Sequence, residues 1–382
     1  MCTRTSWRTA CSAVVIGVSV LLLAGRAGAE GACPPAELAT GLLRPLGLAQ
    51  SPLGNLLVAE SGAFAPNTGR VSIVGLDGSR RTLLDGLPSG LNDVSEPSGP
   101  AGLVMRGRTV YLAIGVGDTQ LPGGAPNATP SSPLFSSILA IHFSARVEQM
   151  SAGFVLSLTD HEALAAGGSL TLSNGGGDAV SIQLVIDFPD SNPTNKNPFA
   201  LVAAGRHLYV TDGGQNLVWK VDLTTGAASV LTTFPQVANP LFGIVGPPFT
   251  DAVPTGIAYA GGQLLVALFT GVPFAPGVSS VVQVDPVTGA RAPLITSLKT
   301  AIGVLMTKAG PNGDHLVLQH ASAGPFFGSP GSLLRFDSPA AAPVPINTCL
   351  NRPTSMVFDR QAAAVYVAEL VTGAIVAIPA NE

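Results

Sequence analysis

Apolar and polar residues alternate in short runs along almost the whole chain, and the runs come in sets. Residues 45 to 60 read "PLGLAQSPLGNLLVAE" and 254 to 268 read "PTGIAYAGGQLLVAL". The same form returns at 100 to 114 ("PAGLVMRGRTVYLAI"), 198 to 212 ("PFALVAAGRHLYVTD"), 302 to 318 ("IGVLMTKAGPNGDHLVL") and 353 to 369 ("PTSMVFDRQAAAVYVAE"). A period of two marks a half-buried strand, and a Gly-containing turn between two such runs marks a hairpin. Each unit therefore opens with two antiparallel strands. Further hairpins follow, for example "RVSIVGLDGSRRTLLDGL" at 70 to 87 and "NLVWKVDLTTGAASVLTTF" at 216 to 234.

First strands start near Gly47, Gly102, Ala200, Gly256, Gly303 and Ser355, at spacings of 55, 98, 56, 47 and 52. Six units of four antiparallel strands arranged in a ring predict an all-β, six-bladed β-propeller. A parallel β-helix is the rival, but its repeats are far shorter. The spacing of 98 marks a small β insertion in blade two, about residues 144 to 180, with a short helical stretch "DHEALAAG" and a tight turn "NGGGD". That turn resembles one fragment of a glycine-aspartate calcium repeat. Such repeats work in arrays, and a hairpin turn explains a single copy. The last unit lacks a fourth strand. "PAELATGLLRP" at 35 to 45 has the form of "PVPINTCLNRP" at 343 to 353, so the N-terminal strand supplies it and closes the ring. Closure removes an exposed sheet edge.

The first 29 residues stand outside this pattern. Arg4 and Arg8 precede an apolar run from Ala13 to Gly25 and then Ala27-Gly28-Ala29, which reads as a cleaved secretory signal. The propeller then occupies 30 to 382, and the protein is expected to be secreted or periplasmic. Cleavage takes away three arginines and no acids, so the formal charge goes from -4 to -7. Only 11% of the residues are charged, against about 25% in ordinary soluble proteins. An acidic chain lacks the basic footprint of a nucleic-acid binder. After cleavage no stretch is long and apolar enough for a membrane span. "NAT" at 127 to 129 fits a glycosylation acceptor, a weak signal.

Cys33 and Cys349 are the two cysteines that remain after cleavage. An oxidising compartment favours a bridge between them. The repeat, however, puts Cys349 near the far end of one outer strand and Cys33 before the start of the next, on opposite sides of the disc. A bridge needs Cα atoms within about 7 Å, so the positions argue against one.

Three second strands end on a carboxylate: Glu60 in blade one, Asp212 in blade three and Glu369 in blade six. His320 follows that position in blade five, and Asp118 lies a few residues beyond it in blade two. Such a ring of ionisable groups at one mouth of the channel would suit a divalent cation (Ca, Mg or Zn), with Glu60, Asp212 and Glu369 as ligands. The simpler expectation is that each acid accepts hydrogen bonds from its own turn. The same face carries Pro- and Phe-rich loops with Phe64, Phe242, Phe249, Phe269, Phe274, Phe326 and Phe327. Loops on a rigid scaffold commonly bind. A small molecule, a glycan or a protein is the expected partner there, with Phe64, Phe269, Phe274, Phe326, Phe327, Asp118 and Asn197 in contact. Packing as a lid is the alternative role of the rings.

No Gly-x-Ser-x-Gly elbow, His-Glu-x-x-His, Cys-x-x-Cys or phosphate-cradling loop occurs. Among His142, His161, His207, His315 and His320, only His320 maps to the mouth, which makes it the candidate general base. His207 and His315 fall in turns of the opposite face and are expected to be solvated.

The stretches "ATGLLRPLGLAQSPLGNLLVAESG", "DSNPTNKNPFALVAAGRHLYVTDGGQNLVWKVD", "DAVPTGIAYAGGQLLVALFTGVPFAPG" and the closing "RPTSMVFD" with "VYVAEL" resemble the ScyD/ScyE family of secreted bacterial proteins, related to NHL-type propellers. The resemblance covers nearly the whole mature chain. It implies a six-bladed, TolB-like propeller of bacterial origin and carries no catalytic residues with it. Broader relatives include gluconolactonase-type lactonases, which hold a divalent cation between a Glu, an Asn and an Asp. The nearest matches here are Glu60, Asn197 and Asp212 or Asp251. The Glu-Gly-Pro opening of those enzymes is absent, and Glu60 ends a second strand where theirs begins a first. The expectation is thus a non-enzymatic binding propeller, with a metal-dependent hydrolase or lyase as the alternative.

Overall fold

The computed structural model describes residues 33 to 92, 95 to 121, 124 to 150, 153 to 188, 196 to 308 and 313 to 380. The expected signal segment lies outside these, as does "DSNP". No helix among the described residues is long and apolar enough to cross a membrane.

Six antiparallel sheets form the expected ring. Blade one comprises Pro45–Gln50, Leu56–Glu60, Gly69–Val74 and Arg80–Leu87, in that order from the channel outward. Blades three, four and five repeat the arrangement, beginning at Pro198–Ala204, Pro254–Ala260 and Ala301–Met306. Blade six consists of Pro353–Asp359, Ala364–Glu369 and Ala374–Pro379, and Ala36–Ala39 pairs onto its outer edge. The N-terminal strand thus closes the ring.

The blades are not uniform. The insertion leaves blade two after its third strand, Ser137–Phe143, and returns as Ala179–Asp187, with Ser169–Ser173 as a fifth strand. On the way, Phe154–Val155 pairs in parallel with the outer strand of blade one, Phe154 opposite Leu84. The helix Leu158–Ala165 is started by a capping box: Ser157 accepts from the Asp160 backbone, and Asp160 returns the bond to Ser157. The insertion is a strap across blades one and two. Its buried Glu148 accepts from Asn55 Nδ2 at 2.9 Å and pairs with Arg108 at 2.7 Å. His161 bridges Ser132 Oγ at 3.0 Å and the Gly86 carbonyl at 2.8 Å.

Two expectations need correction. Cys33 and Cys349 are disulfide-bonded, with Cα atoms 6.0 Å apart. Only an outer strand spanning the whole disc would hold the two cysteines on opposite sides. Ala36–Ala39 has four residues, and its first pairs with Ala377 in mid-strand. Residues ahead of it are therefore free of the sheet's lower half and reach across to blade five. His315 is the second correction: it is 6% exposed, not solvated, and burial pushes its pKa down. His207 is half-buried, 3.9 Å from Asp222.

The core lies between blades, where alternate residues of neighbouring sheets meet, as where Leu48 and Val58 pack with Tyr366 and Ile375. At the waist of the channel the blades touch through backbone. A Cβ on Gly47 would stand 2.2 Å from the Ala101 carbonyl, one on Gly102 2.4 Å from that of Phe199, and one on Gly256 2.6 Å from that of Ile302. Only glycine allows this approach.

Candidate functional site: the channel mouth

One hydrogen bond recurs in all six blades. The residue just after each second strand donates its N–H to the carbonyl of the residue just before the first strand. The pairs are Ser61 to Arg44, Gly115 to Gly99, Gly213 to Asn197, Phe269 to Val253, His320 to Thr300 and Leu370 to Arg352, at 2.8 to 3.1 Å. Before four of the first strands the chain turns through a left-handed residue that is not glycine: Arg44, Val253, Thr300 and Arg352 have φ between 40° and 52°. That conformation is unfavourable for such residues and must be held by its surroundings.

The strand-end acids help to hold these entries to the blades, the left-handed ones of blades one and six among them. Glu60, which pairs with Arg70 at 2.8 Å, also takes the Leu43 N–H and the Ser72 hydroxyl. Asp212 takes the Asn197 N–H at 2.9 Å, the Gly214 and Gln215 N–H groups and the Trp219 indole at 3.0 Å. Burial pushes the Asp212 pKa up, against the pull of these bonds. Glu369 takes the Asn351 N–H at 2.7 Å and the Thr372 hydroxyl. In blade five the neutral Gln319 fills the same role toward the Lys299 N–H at 2.8 Å.

Glu60, Asp212 and Glu369 therefore do not converge as a metal site. Each is consumed by the turn at its own blade, and none lines the channel cavity. Among the described residues, no group of three or more His, Cys, Asp or Glu side chains is placed to hold a metal ion. The reason is strand alternation: successive side chains point to opposite sides, so an acid turned toward the join leaves the mouth to the next residue.

Those next residues build the cavity. Gly115, Gly213, Phe269, His320 and Leu370 form its upper ring, and Leu46, Ala101, Phe199, Thr255, Ile302 and Thr354 its floor. The volume is about 370 Å³, within the usual range for small-molecule sites. Two glycines leave the side of blades two and three open. The opposite wall is aromatic.

On that wall Phe274 stacks on Phe327 with centroids 4.3 Å apart, and Phe269 meets both rings edge-on. His320 lies edge-on to Phe269 at 5.7 Å and to Phe327 at 5.0 Å. Its Nδ1 is 2.9 Å from the Pro353 carbonyl, and burial lowers its pKa to about 4. Arg352 lies over the Phe327 ring, 4.6 Å from its centroid. Left-handed backbone at Thr270, Phe274 and Phe326, with φ of 54° to 73°, shapes the wall. The blade-five loop is pinned by Lys299, whose buried ammonium donates to the carbonyls of Ala323, Gly324 and Phe326.

Of the residues expected at the site, His320, Phe269, Phe274, Phe327 and Asn197 come together. Phe64 and Phe326 stay outside, 54% and 45% exposed, and Phe64 is covered by Arg44 at 3.3 Å. Asp118 is buried and accepts from the Ser131 N–H, pinning its own loop. Asn197 Oδ1 accepts from the Val116 N–H at 3.2 Å. Ser98, Glu96 and the floor residues were not among those expected at the site. The floor was findable as the position before the recurring Gly or small residue of each first strand. Glu96 has no repeat equivalent; it stands at the rim, and desolvation pushes its pKa up against the attraction of Arg352.

No family model matches the chain. No curated protein gives a significant match. Among solved structures it is similar to a putative oxidoreductase (glucose dehydrogenase) of Thermus thermophilus, at 16% identity and a TM-score of 0.51, covering 90% of this chain and 98% of that one. It is also similar to the PQQ-bound form of the aldose sugar dehydrogenase of Streptomyces coelicolor, at 14% identity and a TM-score of 0.51, covering 90% and 96%. The shared feature is the fold.

Proposed function

We propose that the protein is a secreted, non-enzymatic binding propeller that holds a small, largely apolar molecule in the cavity at the channel mouth. The observation that carries this reading is the cavity of about 370 Å³ walled by Phe269, Phe274 and Phe327, and the state of His320 argues against a general base beside it. A general base works best with a pKa near the working pH. His320 has a pKa of about 4, far below the working pH, so it stands in the aromatic wall as a neutral group, its Nδ1–H held by a backbone carbonyl. The disulfide supports an oxidising compartment, and the quoted motifs support placement beside the ScyD/ScyE proteins.

The Streptomyces protein carries PQQ, an anionic quinone with three carboxylates. Such a group calls for Arg or Lys side chains. The cavity does not fit it: among the described lining residues there is no Lys or Arg. Arg352 is engaged by the Phe327 ring, and Lys299 by three carbonyls. The likeness to that neighbour therefore carries no redox step over to this chain. The hydrolase alternative would need Glu60, Asp212 and Glu369 released from the turns they close.

Titration with N-phenyl-1-naphthylamine, an uncharged apolar fluorophore, tests the reading. Saturable emission enhancement at one site per chain is expected, and Gly213→Phe should abolish it by filling the cavity. A Cβ at Gly213 meets nothing closer than 3.4 Å, so the variant should fold. Equal enhancement in wild type and Gly213→Phe would overturn the reading.

A further inference from the structure

The polar groups of the cavity have a hydrogen-bonding sense that the protein itself sets. A carbonyl only accepts, so the 2.9 Å approach of His320 Nδ1 to the Pro353 oxygen places the proton on Nδ1. Nε2 is then a bare acceptor. The edge-on contacts with Phe269 and Phe327 keep the ring from turning.

On the side of blades two and three, inside the rim where Glu96 stands, two groups have the opposite sense. Asn197 Oδ1 accepts from the Val116 N–H at 3.2 Å, which orients the amide and leaves its NH₂ as the donor to the cavity it lines. Ser98 Oγ accepts from the Gly117 N–H at 2.9 Å, and its own hydroxyl proton remains to be given. A Cβ on Gly115 would stand 3.0 Å from Asn197 Oδ1 and 3.4 Å from Ser98 Oγ, so both groups flank the same glycine. Between the acceptor and the two donors lie the aromatic wall and the floor, where the Thr255 and Thr354 hydroxyls already donate to backbone carbonyls. Buried polar groups that meet no partner are costly, so a ligand that fills this space must answer each one.

We infer that the cavity takes an uncharged aromatic molecule with a hydroxyl at one end, donated to His320 Nε2, and a carbonyl oxygen at the other, accepting from Asn197 and Ser98. This rests on the binding function proposed above and names its ligand class. The ring of the ligand stacks or meets edge-on the Phe274 and Phe327 pair. Carboxylates and phosphates are disfavoured because no Lys or Arg lines the space among the described residues.

Competition against bound N-phenyl-1-naphthylamine tests the assignment on the mature chain. Methyl 4-hydroxybenzoate should displace the fluorophore roughly tenfold better than methyl 4-methoxybenzoate, since methylation removes the donor. His320→Phe should erase that difference, each ester's displacement being referred to the variant's own affinity for the fluorophore. Independently, Ser98→Ala should narrow the advantage of methyl 4-hydroxybenzoate over 4-ethylphenol, which lacks the carbonyl. Equal displacement by the hydroxy and methoxy esters, with the fluorophore still sensitive to Gly213→Phe, would overturn the ligand class and leave the binding function standing. Fluorophore binding insensitive to Gly213→Phe would remove both.

Discussion

The carboxylate of Asp212, at the end of one strand, accepts the backbone N–H of Asn197 at 2.9 Å, just ahead of the strand beside it. The acid thus works as a latch between the connection entering a blade and the strand leaving it. Asp212→Ala would orphan four partly buried donors and should destabilise the fold by about 1–3 kcal/mol. Asp212→Asn keeps most acceptors but turns a donor toward the Trp219 indole, and about 1–2 kcal/mol is expected. Urea unfolding followed by Trp219 fluorescence would check both.

Reduction of the Cys33–Cys349 bridge frees the closing strand from blade five. The bridge joins residues 316 apart in sequence. Its loss should lower stability by at most about 6 kcal/mol on the chain-entropy account. Melting of wild type with and without dithiothreitol, beside Cys349→Ser, measures it; an unchanged melting temperature would mean that the strand is held by its pairing alone.

Acid should weaken the fold through its buried histidines. His320 has a folded pKa of about 4 against an ordinary 6.5, so between these values the unfolded chain binds the extra proton. Stability is then lost as pH falls through that window, by up to about 3 kcal/mol from this residue. Burial lowers His161 and His315 as well, adding in the same direction. Chemical denaturation at pH 7, 5.5 and 4.5 should show the decline, and His320→Phe should make it shallower.

Gly47→Ala should be badly tolerated. The added methyl would meet a backbone carbonyl at 2.2 Å, and a backbone wall does not yield as a side chain does. A loss of about 2–3 kcal/mol is expected. Gly54→Ala faces open space yet needs φ of 86°, so it serves as a control for strain without a clash.

With its acids already bonded, the mature protein should show no change in melting temperature on EDTA treatment or on adding back Ca²⁺, Mg²⁺ or Zn²⁺. A rise with one cation that Glu60→Gln abolishes would instead favour the metal-dependent reading, because a ligand of the native state stabilises by mass action.

The alternation of apolar residues, the six-fold recurrence and the missing last strand were enough to determine the propeller and its closure, because these depend on local periodicity and on counting. The insertion was legible as a break in spacing, although its reach back to blade one was not: Phe154 opposite Leu84 is a contact between distant segments. The recurring acids were visible, and their direction was not. Whether Glu60 faces the channel or the join turns on one residue of register at a strand end, and only the packed ring decided it in favour of the join. The same register gave the mouth to His320 and Phe269, and a four-residue outer strand brought Cys33 to Cys349. Both outcomes depend on where strands start and stop in space, which the bonding of neighbouring blades determines.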